Sequence, residues 1–338
     1  MKYNKMMNWG LLGHESAVDL LKSHLLGEGL RHAYLFTGAP GIGRRTLALR
    51  FVQALNCPSP VAPGEPCLKC KTCQQIERMQ FADMSVVQAE QEGKDIKIDQ
   101  VRGLQHHLSL APYASRYRVA ILLDFQNANA HAQNAMLKTL EEAPSRVILL
   151  VTSDTLEGLL PTIVSRCEVL RLHPLPLESI AGYLVKKRKL DLDQANILAH
   201  LAEGRPGFAL HLVDSPDVYE KRQALLEQIP VLMGASRRVR FAYVETLTRD
   251  REKARERLRQ ALLAWLSFWR DVLICHAGAD IPLVNVSKAD VLQRVASQLS
   301  MESICQVTTS IERGLDQLDA NANPRLLGEV LLLDWPRL

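Results

Sequence analysis

A glycine-rich loop offers the first candidate chemistry. Residues 38–46 read Gly-Ala-Pro-Gly-Ile-Gly-Arg-Arg-Thr, which keeps the glycine spacing of the phosphate-binding loop G-x-x-x-x-G-K-[ST]. In that loop the lysine reaches the outer phosphates and the hydroxyl holds magnesium. Here Arg44 replaces the lysine and Arg45 the hydroxyl residue. A guanidinium can pair with phosphate, but Arg45 supplies no oxygen to a metal. The loop is therefore predicted to be a scaffold rather than an ATPase centre.

A second altered motif follows an apolar segment. Residues 119–123 read as a strand, and Asp124 follows in the place of the magnesium-ordering aspartate of ATPases, but Phe125 stands where a water-polarising glutamate belongs. Taken alone, this segment could simply be a central strand with a polar end. With the glycine loop it predicts a degenerate, inactive nucleotide pocket formed by Gly38, Gly43, Arg44, Arg45, Thr46 and Asp124.

Four cysteines have the spacing of a metal site. Cys57, Cys67, Cys70 and Cys73 read Cys-x9-Cys-x2-Cys-x2-Cys. Four thiolates at such short intervals suit a closed tetrahedral zinc centre with no position for water. Free thiols, or two disulfides in a secreted protein, are the alternatives. The spacing favours a structural zinc ion.

Arg166 is the remaining candidate for chemistry. It lies in Ser165-Arg166-Cys167, just before a predicted strand over residues 168–172. An arginine at the rim of a nucleotide-binding fold can stabilise the transition state at a neighbouring subunit's γ-phosphate. The alternative is a surface arginine paired with a local acid such as Glu168.

The elements that must position these residues follow an α/β pattern up to about residue 175. Short apolar strands alternate with helical patterns, which predicts a parallel sheet covered on both faces. Strands are predicted at 33–36, 118–123, 147–151 and 168–172, and helices at 46–56, 98–108 and 129–142. Beyond Pro174 and Pro176 the pattern is helical. It predicts three domains: an α/β domain over 1–175 with a zinc module at 57–73, a helical lid over 176–214 and an all-α domain over 215–338.

Composition narrows the class of protein. The chain has 338 residues and a net charge of +4, too slight to demand nucleic acid. No apolar stretch is long enough to span a membrane. The basic start, Met1 to Met7, is not followed by a secretory core, so a cytoplasmic location is predicted. Arg251, Arg255 and Arg259 could form a basic stripe on one helix, which keeps a nucleic-acid binder open as an alternative.

Several motifs together carry a family resemblance. They are Gly13-His14-Glu15, the segment Arg31 to Gly38, the cysteine set, the segment Asn134 to Pro144, and Ser165-Arg166-Cys167. In these the chain resembles the delta-prime subunits of the bacterial DNA polymerase III clamp loader, in the AAA+ superfamily. The resemblance covers residues 9 to about 175 closely and the lid moderately. Beyond the lid it rests on the helical pattern and on the ending Asn321 to Leu332.

The resemblance implies a fold and a role. It implies an AAA+ P-loop domain, a helical lid and a collar that joins five subunits around primer-template DNA, together with motor subunits, the clamp-opening delta subunit and the sliding clamp. Arg166 takes the position of the arginine finger given to the adjacent ATP site, and the four cysteines take that of the zinc module. Gly207 stands where the lid of a motor subunit offers an arginine, with Arg205 two positions away. We therefore expect a subunit that hydrolyses no ATP itself; an active motor subunit using Thr46 and Asp124 is the alternative.

Overall fold

The computed structural model describes residues 8–27, 29–91 and 94–337, in two compact units. The first unit comprises the described residues up to Pro176 together with Gly204–Phe208. The second comprises Leu177–Glu203 and the chain from Ala209 onward. The basic segment Met1 to Met7, on which the N-terminal prediction rests, lies outside the described residues. The further division of the helical half into lid and collar stays a prediction.

The first unit contains a five-stranded parallel sheet, which confirms the predicted fold class. Its strands are β1 (Ala33–Thr37), β2 (Met84–Val87), β3 (Arg118–Leu122), β4 (Val147–Ser153) and β5 (Glu168–Arg171). Their order across the sheet is β2-β3-β4-β1-β5, and every neighbouring pair is parallel. β1 is therefore flanked by strands on both sides, and the glycine loop that follows it opens at the carboxyl edge of the sheet. Edge strand β2 was not predicted, because it has only four residues, two of them partly exposed, and gives a weak apolar signal.

Helices cover both faces of this sheet. They are α1 (Glu15–Leu25), α2 (Arg44–Asn56), α3 (Lys71–Glu77), α4 (Ile98–Leu108), α5 (Ala130–Glu141) and α6 (Pro161–Val164). The side chains of β1 alternate between two cores: Tyr34 and Phe36 pack in the core that includes α1 and α2 residues, and Leu35 in the core that includes α4 and α5 residues. A strand buried on both faces reads as a continuous apolar run, as residues 33–36 do.

Helix α2 begins two residues earlier than predicted. Gly43 precedes it in a left-handed conformation with φ 117°, so the glycine loop ends directly at Arg44. Arg44 is therefore the first helical residue rather than a loop residue. This places its side chain at the carboxyl edge of the sheet, where the candidate site lies.

The second unit is helical throughout the residues that the structure describes. Its helices are α7 (Leu177–Arg188), α8 (Leu192–Ala202), α9 (Pro206–Asp214, which starts in the first unit), α10 (Pro216–Gly234), α11 (Arg237–Thr248), α12 (Ala254–Ala277), α13 (Ala289–Gln298), α14 (Met301–Asp319) and α15 (Pro324–Leu333). Helix α12 supplies Trp265, Phe268 and Trp269 to the core, and Trp335 packs edge-on against both tryptophans. In the described part of the chain, no helix has the length and apolar character needed to cross a bilayer.

Candidate functional site

The glycine loop has a backbone conformation that favours glycine at three positions. Gly38, Gly41 and Gly43 all have positive φ values, 145°, 80° and 117°. A Cβ at Gly38 would lie 2.6 Å from the Leu172 carbonyl oxygen, so the turn admits no side chain there. A ring nitrogen of His14, from the Gly-His-Glu motif, lies 2.9 Å from the Ile42 carbonyl oxygen and supports the loop from the start of α1.

Arg44 fills this site with its own side chain. It is only 8 % exposed, and its Nη2 donates to Oδ1 of Asp124 at 2.9 Å. Its Nη1 lies 2.5 Å from Oδ1 of Asp154. The backbone N–H of Asp124 donates to the Thr152 hydroxyl at 2.8 Å, which fixes the aspartate at the end of β3. One buried cation and two partly exposed carboxylates thus form an ion-pair group at the carboxyl edge of the sheet.

The other residues predicted for this pocket do not join the group. The Arg45 and Thr46 side chains are exposed on α2. Phe125 is fully buried in the core shared with α4 and α5, so it adds no polar group after β3. Asp154 was missed by sequence reasoning because it belongs to no motif. The available signal was its place directly after β4, since ligands of parallel sheets bind beyond the carboxyl ends of the strands.

The segment Gly204–Phe208 closes one side of the glycine loop. The Gly207 N–H donates to the Gly41 carbonyl oxygen at 2.8 Å, and a Cβ on Gly207 would meet that same oxygen at 2.8 Å. Arg205 lies over the Phe208 ring, with its guanidinium carbon 4.7 Å from the ring centre. Glycine at position 207 therefore permits a backbone contact with the loop that a larger residue would block.

Arg166 lies between α6 and β5 and is held by one acid. Its Nη2 donates to Glu141 Oε1 at 2.6 Å and its Nη1 to the Thr162 carbonyl oxygen at 2.9 Å. The side chain remains 34 % exposed. Glu168, the acid suggested by the sequence, is instead 3.8 Å from Arg31, so that suggested pairing was wrong. Glu141 ends α5 and is brought to Arg166 only by the tertiary structure.

The four cysteines converge as the spacing predicted. The sulfur atoms of Cys57, Cys67, Cys70 and Cys73 all lie within 4.8 Å of one another. The Cys57–Cys67 and Cys67–Cys73 sulfur distances are 3.6 and 4.0 Å. Zn–S bonds of about 2.3 Å in a tetrahedron require sulfur atoms roughly 3.8 Å apart. The donor set and its geometry therefore fit zinc. No second cluster of metal-ligating groups occurs among the residues that the structure describes.

Backbone amides and burial tune these thiols in opposite directions. Hydrogen bonds from the Lys69 and Cys70 amides lower the pKa of Cys67 to about 6, which favours its thiolate. Burial raises the pKa of Cys57 and of Cys73. The cluster is tied to α2 by Gln53, whose amide donates to the Cys73 carbonyl oxygen at 2.8 Å. A bound cation would stabilise all four thiolates together.

The proposed basic stripe is not continuous. Arg251 lies in the turn before α12 rather than on the helix, so the prediction of three arginines on one helix was wrong. Arg255 donates to the Leu318 carbonyl oxygen at 2.6 Å, and Arg259 pairs with Asp319. Two of the three cations are therefore engaged within the second unit, which weakens the interpretation as a free-standing nucleic-acid binder.

Two family profiles match the chain. The profile described as "DNA polymerase III, delta subunit" matches residues 13–176, and a second profile, for the C-terminal part of the same family, matches residues 216–337. The first match contains the glycine loop, the cysteine cluster and Arg166. Together the two profiles cover most of both compact units.

Individual relatives point to the same group. The chain is 26% identical to the delta' subunit of DNA polymerase III from Bacillus subtilis, over 94% of both chains. It is 24% identical to the tau subunit of the same organism over 96% of this chain, but spans only 60% of the length of that protein. Among solved structures, a gamma subunit-related protein of DNA polymerase III from Thermotoga maritima superposes with a TM-score of 0.51 at 16% identity, covering 94% of this chain and 97% of its own. That likeness concerns the fold alone.

Proposed function

This chain belongs to the DNA polymerase III delta subunit family as a delta-prime-like clamp-loader subunit, and from this premise we propose that it works in clamp loading without hydrolysing ATP. Its Arg166 acts as an arginine finger, which stabilises the transition state of ATP hydrolysis at the ATP site of a neighbouring motor subunit. The partners in this proposal are the motor subunits, the delta subunit, the sliding clamp and primer-template DNA.

The observation that carries the first part is the Arg44 group. Magnesium-dependent hydrolysis needs a free carboxylate for the metal and a cation facing the γ-phosphate. Arg44 satisfies Asp124 and Asp154 at 2.9 and 2.5 Å, so neither requirement is met without breaking a half-buried ion-pair group. Phe125 supplies no base for water. These contacts support a loop kept for shape.

The accessibility of Arg166 supports the second part. Its side chain keeps about a third of its surface in solvent and is paired with one partly exposed acid, Glu141. Such a surface pair contributes only about 0–1 kcal/mol, so exchange of Glu141 for a phosphate of a neighbouring subunit costs little. A guanidinium also matches phosphate oxygens bidentately. Arg166 can therefore exchange its hydrogen bond with Glu141 for one with a phosphate, whereas Arg44 cannot readily leave Asp124 and Asp154.

The proposal also covers the cysteine cluster, the division of the helical half and the location of the protein. The four cysteines hold a structural zinc ion, and the helical half divides into a lid over 176–214 and a collar over 215–338. A cytoplasmic location follows from the replication role. The zinc ion is structural rather than catalytic in this proposal, because four thiolate ligands leave no coordination position for water.

Hydrolysis by the purified chain tests the central point. We expect no phosphate release from ATP and magnesium by this chain alone, with a motor subunit assayed in parallel as the positive control. Addition of this chain to the motor and delta subunits should then be required for DNA-dependent turnover. Multiple turnovers by the isolated chain would contradict the proposal and favour an active motor subunit using Thr46 and Asp124.

A further inference from the structure

A cavity in the second unit is lined mainly by cationic side chains. Its volume is about 490 Å³, and its lining residues are Ser236, Arg237, Arg238, Arg240, Leu333 and Arg337. Four of these six residues are arginines. They come from two places in the chain, the start of α11 and the segment that follows α15. The function proposed above makes no use of them.

Arg240 is the buried arginine among the lining residues. It is 2 % exposed, and it donates to backbone carbonyl oxygens on both sides: Leu232 at 2.8 Å, Met233 at 3.0 Å, Leu332 at 2.6 Å and Trp335 at 3.0 Å. These bonds hold the end of α15 and the residues after it against α11. Carbonyl oxygens satisfy the hydrogen bonds of the guanidinium but carry no net charge, so its positive charge stays uncompensated.

Among residues 8–27, 29–91 and 94–337, no acid compensates the other cations either. In the described part of the chain, no ion pair involves Arg237, Arg238, Arg240 or Arg337. The only acidic residue between Leu333 and Arg337 is Asp334, which lines a different groove. Burial first, and then the charge of Arg337, lower the pKa of Arg240.

The start of α11 adds further donors. Its N-cap residue, Ser236, makes no side-chain capping bond, and the first amides bonded within the helix are those of Val239 and Arg240, both to the Ser236 carbonyl oxygen. The N–H groups of Arg237 and Arg238 precede this pattern and lie at the positive end of the helix dipole. Cationic residues at this position repel the dipole, and a bound anion would offset that repulsion.

We propose that this arginine pocket, in which Arg237, Arg238 and Arg337 supply free donors and buried Arg240 supplies charge behind them, binds a doubly charged phosphate group. Several guanidiniums that line one pocket favour an anion with more than one charge, such as a phosphate monoester or a diphosphate, over a single carboxylate. A continuous phosphodiester chain would instead need an extended cationic track with stacking aromatic side chains. The source of the phosphate group is either a free diphosphate or the terminal phosphate of a nucleic acid.

Calorimetric titration of the full chain tests the pocket. Pyrophosphate, added at constant ionic strength, should bind with one site per chain, and the double variant Arg237→Ala/Arg337→Ala should weaken binding about tenfold or more. Arg240 is left intact because it holds the fold. Arg251→Ala, which removes an exposed arginine outside the cavity, is the matched control and should bind normally. Arg337→Lys keeps the charge but loses the planar fork, and we expect an intermediate affinity.

Oligonucleotides distinguish the two sources. A short single strand that carries a 5′-phosphate should compete with pyrophosphate if the pocket takes a nucleic-acid end, and the same strand without that phosphate should not. Competition by neither strand, with pyrophosphate still bound at the pocket, would assign it to a free diphosphate. Equal pyrophosphate affinity in the double variant and in Arg251→Ala would overturn the proposal, as would the absence of pyrophosphate binding. Neither result depends on Arg44 or Arg166.

Discussion

Two arginines in the first unit, Arg44 and Arg166, differ in burial and in the number of their acidic partners. Arg44 is 8 % exposed and lies between the carboxylates of Asp124 and Asp154. Arg166 is 34 % exposed, and among the described residues its one acidic partner is Glu141. Arg44 starts a long helix directly after a glycine turn, whereas Arg166 follows a helix of four residues.

The comparison indicates that burial and the number of acidic partners decide whether a guanidinium can exchange its ion pair for another anion. A buried cation between two carboxylates cannot be released without leaving those charges unpaired. An exposed cation with one partner exchanges it readily. Arg44 should therefore matter for stability and Arg166 for catalysis in trans.

The largest effect is expected at Arg166. In a reconstituted clamp loader, Arg166→Ala should lower turnover at the adjacent motor site about 10³-fold, as loss of an arginine finger does. Arg166→Lys should recover little of it, because the planar fork is lost. Single-turnover ATP hydrolysis with DNA measures this. Arg102→Ala, which removes another exposed arginine of the same unit, serves as control, and unchanged turnover in the Arg166→Ala complex would remove the finger role.

Metal removal is expected to destabilise the contacts between the C-terminal half of α2 and α3. The cysteine cluster contacts α2 through Gln53, and Arg50 pairs with Glu77 of α3. Zinc at about 100 times its Kd contributes about 2.7 kcal/mol to stability, so chelation or Cys70→Ser should lower the Tm by several degrees. Metal analysis should find one zinc ion per chain. An unchanged Tm with a strong chelator, or a chain without zinc, would contradict the metal site.

Removal of Arg44 should destabilise the fold without touching trans catalysis. Arg44→Ala leaves two carboxylates facing each other, and we expect a loss of about 2 kcal/mol in the free energy of unfolding. Arg166→Ala should cost less than about 1 kcal/mol by the same measurement. Urea unfolding of both variants makes the comparison direct. Equal losses would mean that burial does not separate the two arginines.

The smallest effect is expected at Asp83, a buried carboxylate. Asp83 is a buried anion held by donors, as Arg44 is a buried cation held by carboxylates. Asp83 is 1 % exposed; burial alone would raise its pKa, but donors from Tyr113, Ala114, Ser115 and Arg118 outweigh this and lower it. Its contribution is thus complete above the unfolded pKa of about 3.9 and disappears as the pH falls through the folded value.

Asp83→Asn should accordingly cost about 1 kcal/mol or more at pH 7 and less near pH 3. Urea unfolding at both pH values checks this. The exposed Asp99→Asn is the control, since its side chain is 83 % exposed. A cost that does not change with pH would show that shape rather than charge holds the Asp83 contacts.

Local patterns predicted most of the α/β unit. Glycines with positive φ, apolar runs such as residues 33–36 and 147–151, and the cysteine spacing each depend on neighbours in sequence, so they could be recognised directly. Strand β2 escaped because a short edge strand lacks that signal. The start of α2 was misplaced by two residues, because the position where a helix begins depends on the glycine turn before it.

Side-chain partners could not be predicted in the same way. Asp154 and Arg44 are far apart in sequence, as are Glu141 and Arg166, and each pair meets only when parallel strands and their helices are packed. The sequence suggested Glu168 for Arg166 because proximity along the chain was the only available criterion. The arginine pocket of the second unit was missed for the same reason, since Arg337 reaches it through bonds between Arg240 and the segment after α15.

The amino-acid sequence by itself determined which side chains are available. Arg44 and Arg45 stand in the glycine loop at the positions of the lysine and the hydroxyl residue, and Phe125 stands at the position of a glutamate. Four cysteines have the spacing of a metal site. These follow from local chemistry, because a side chain that lacks an oxygen cannot hold magnesium in any fold. The tertiary structure alone decided which cations are neutralised and which remain accessible. Ion pairing and burial depend on distances between segments remote in sequence, and those distances exist only after packing.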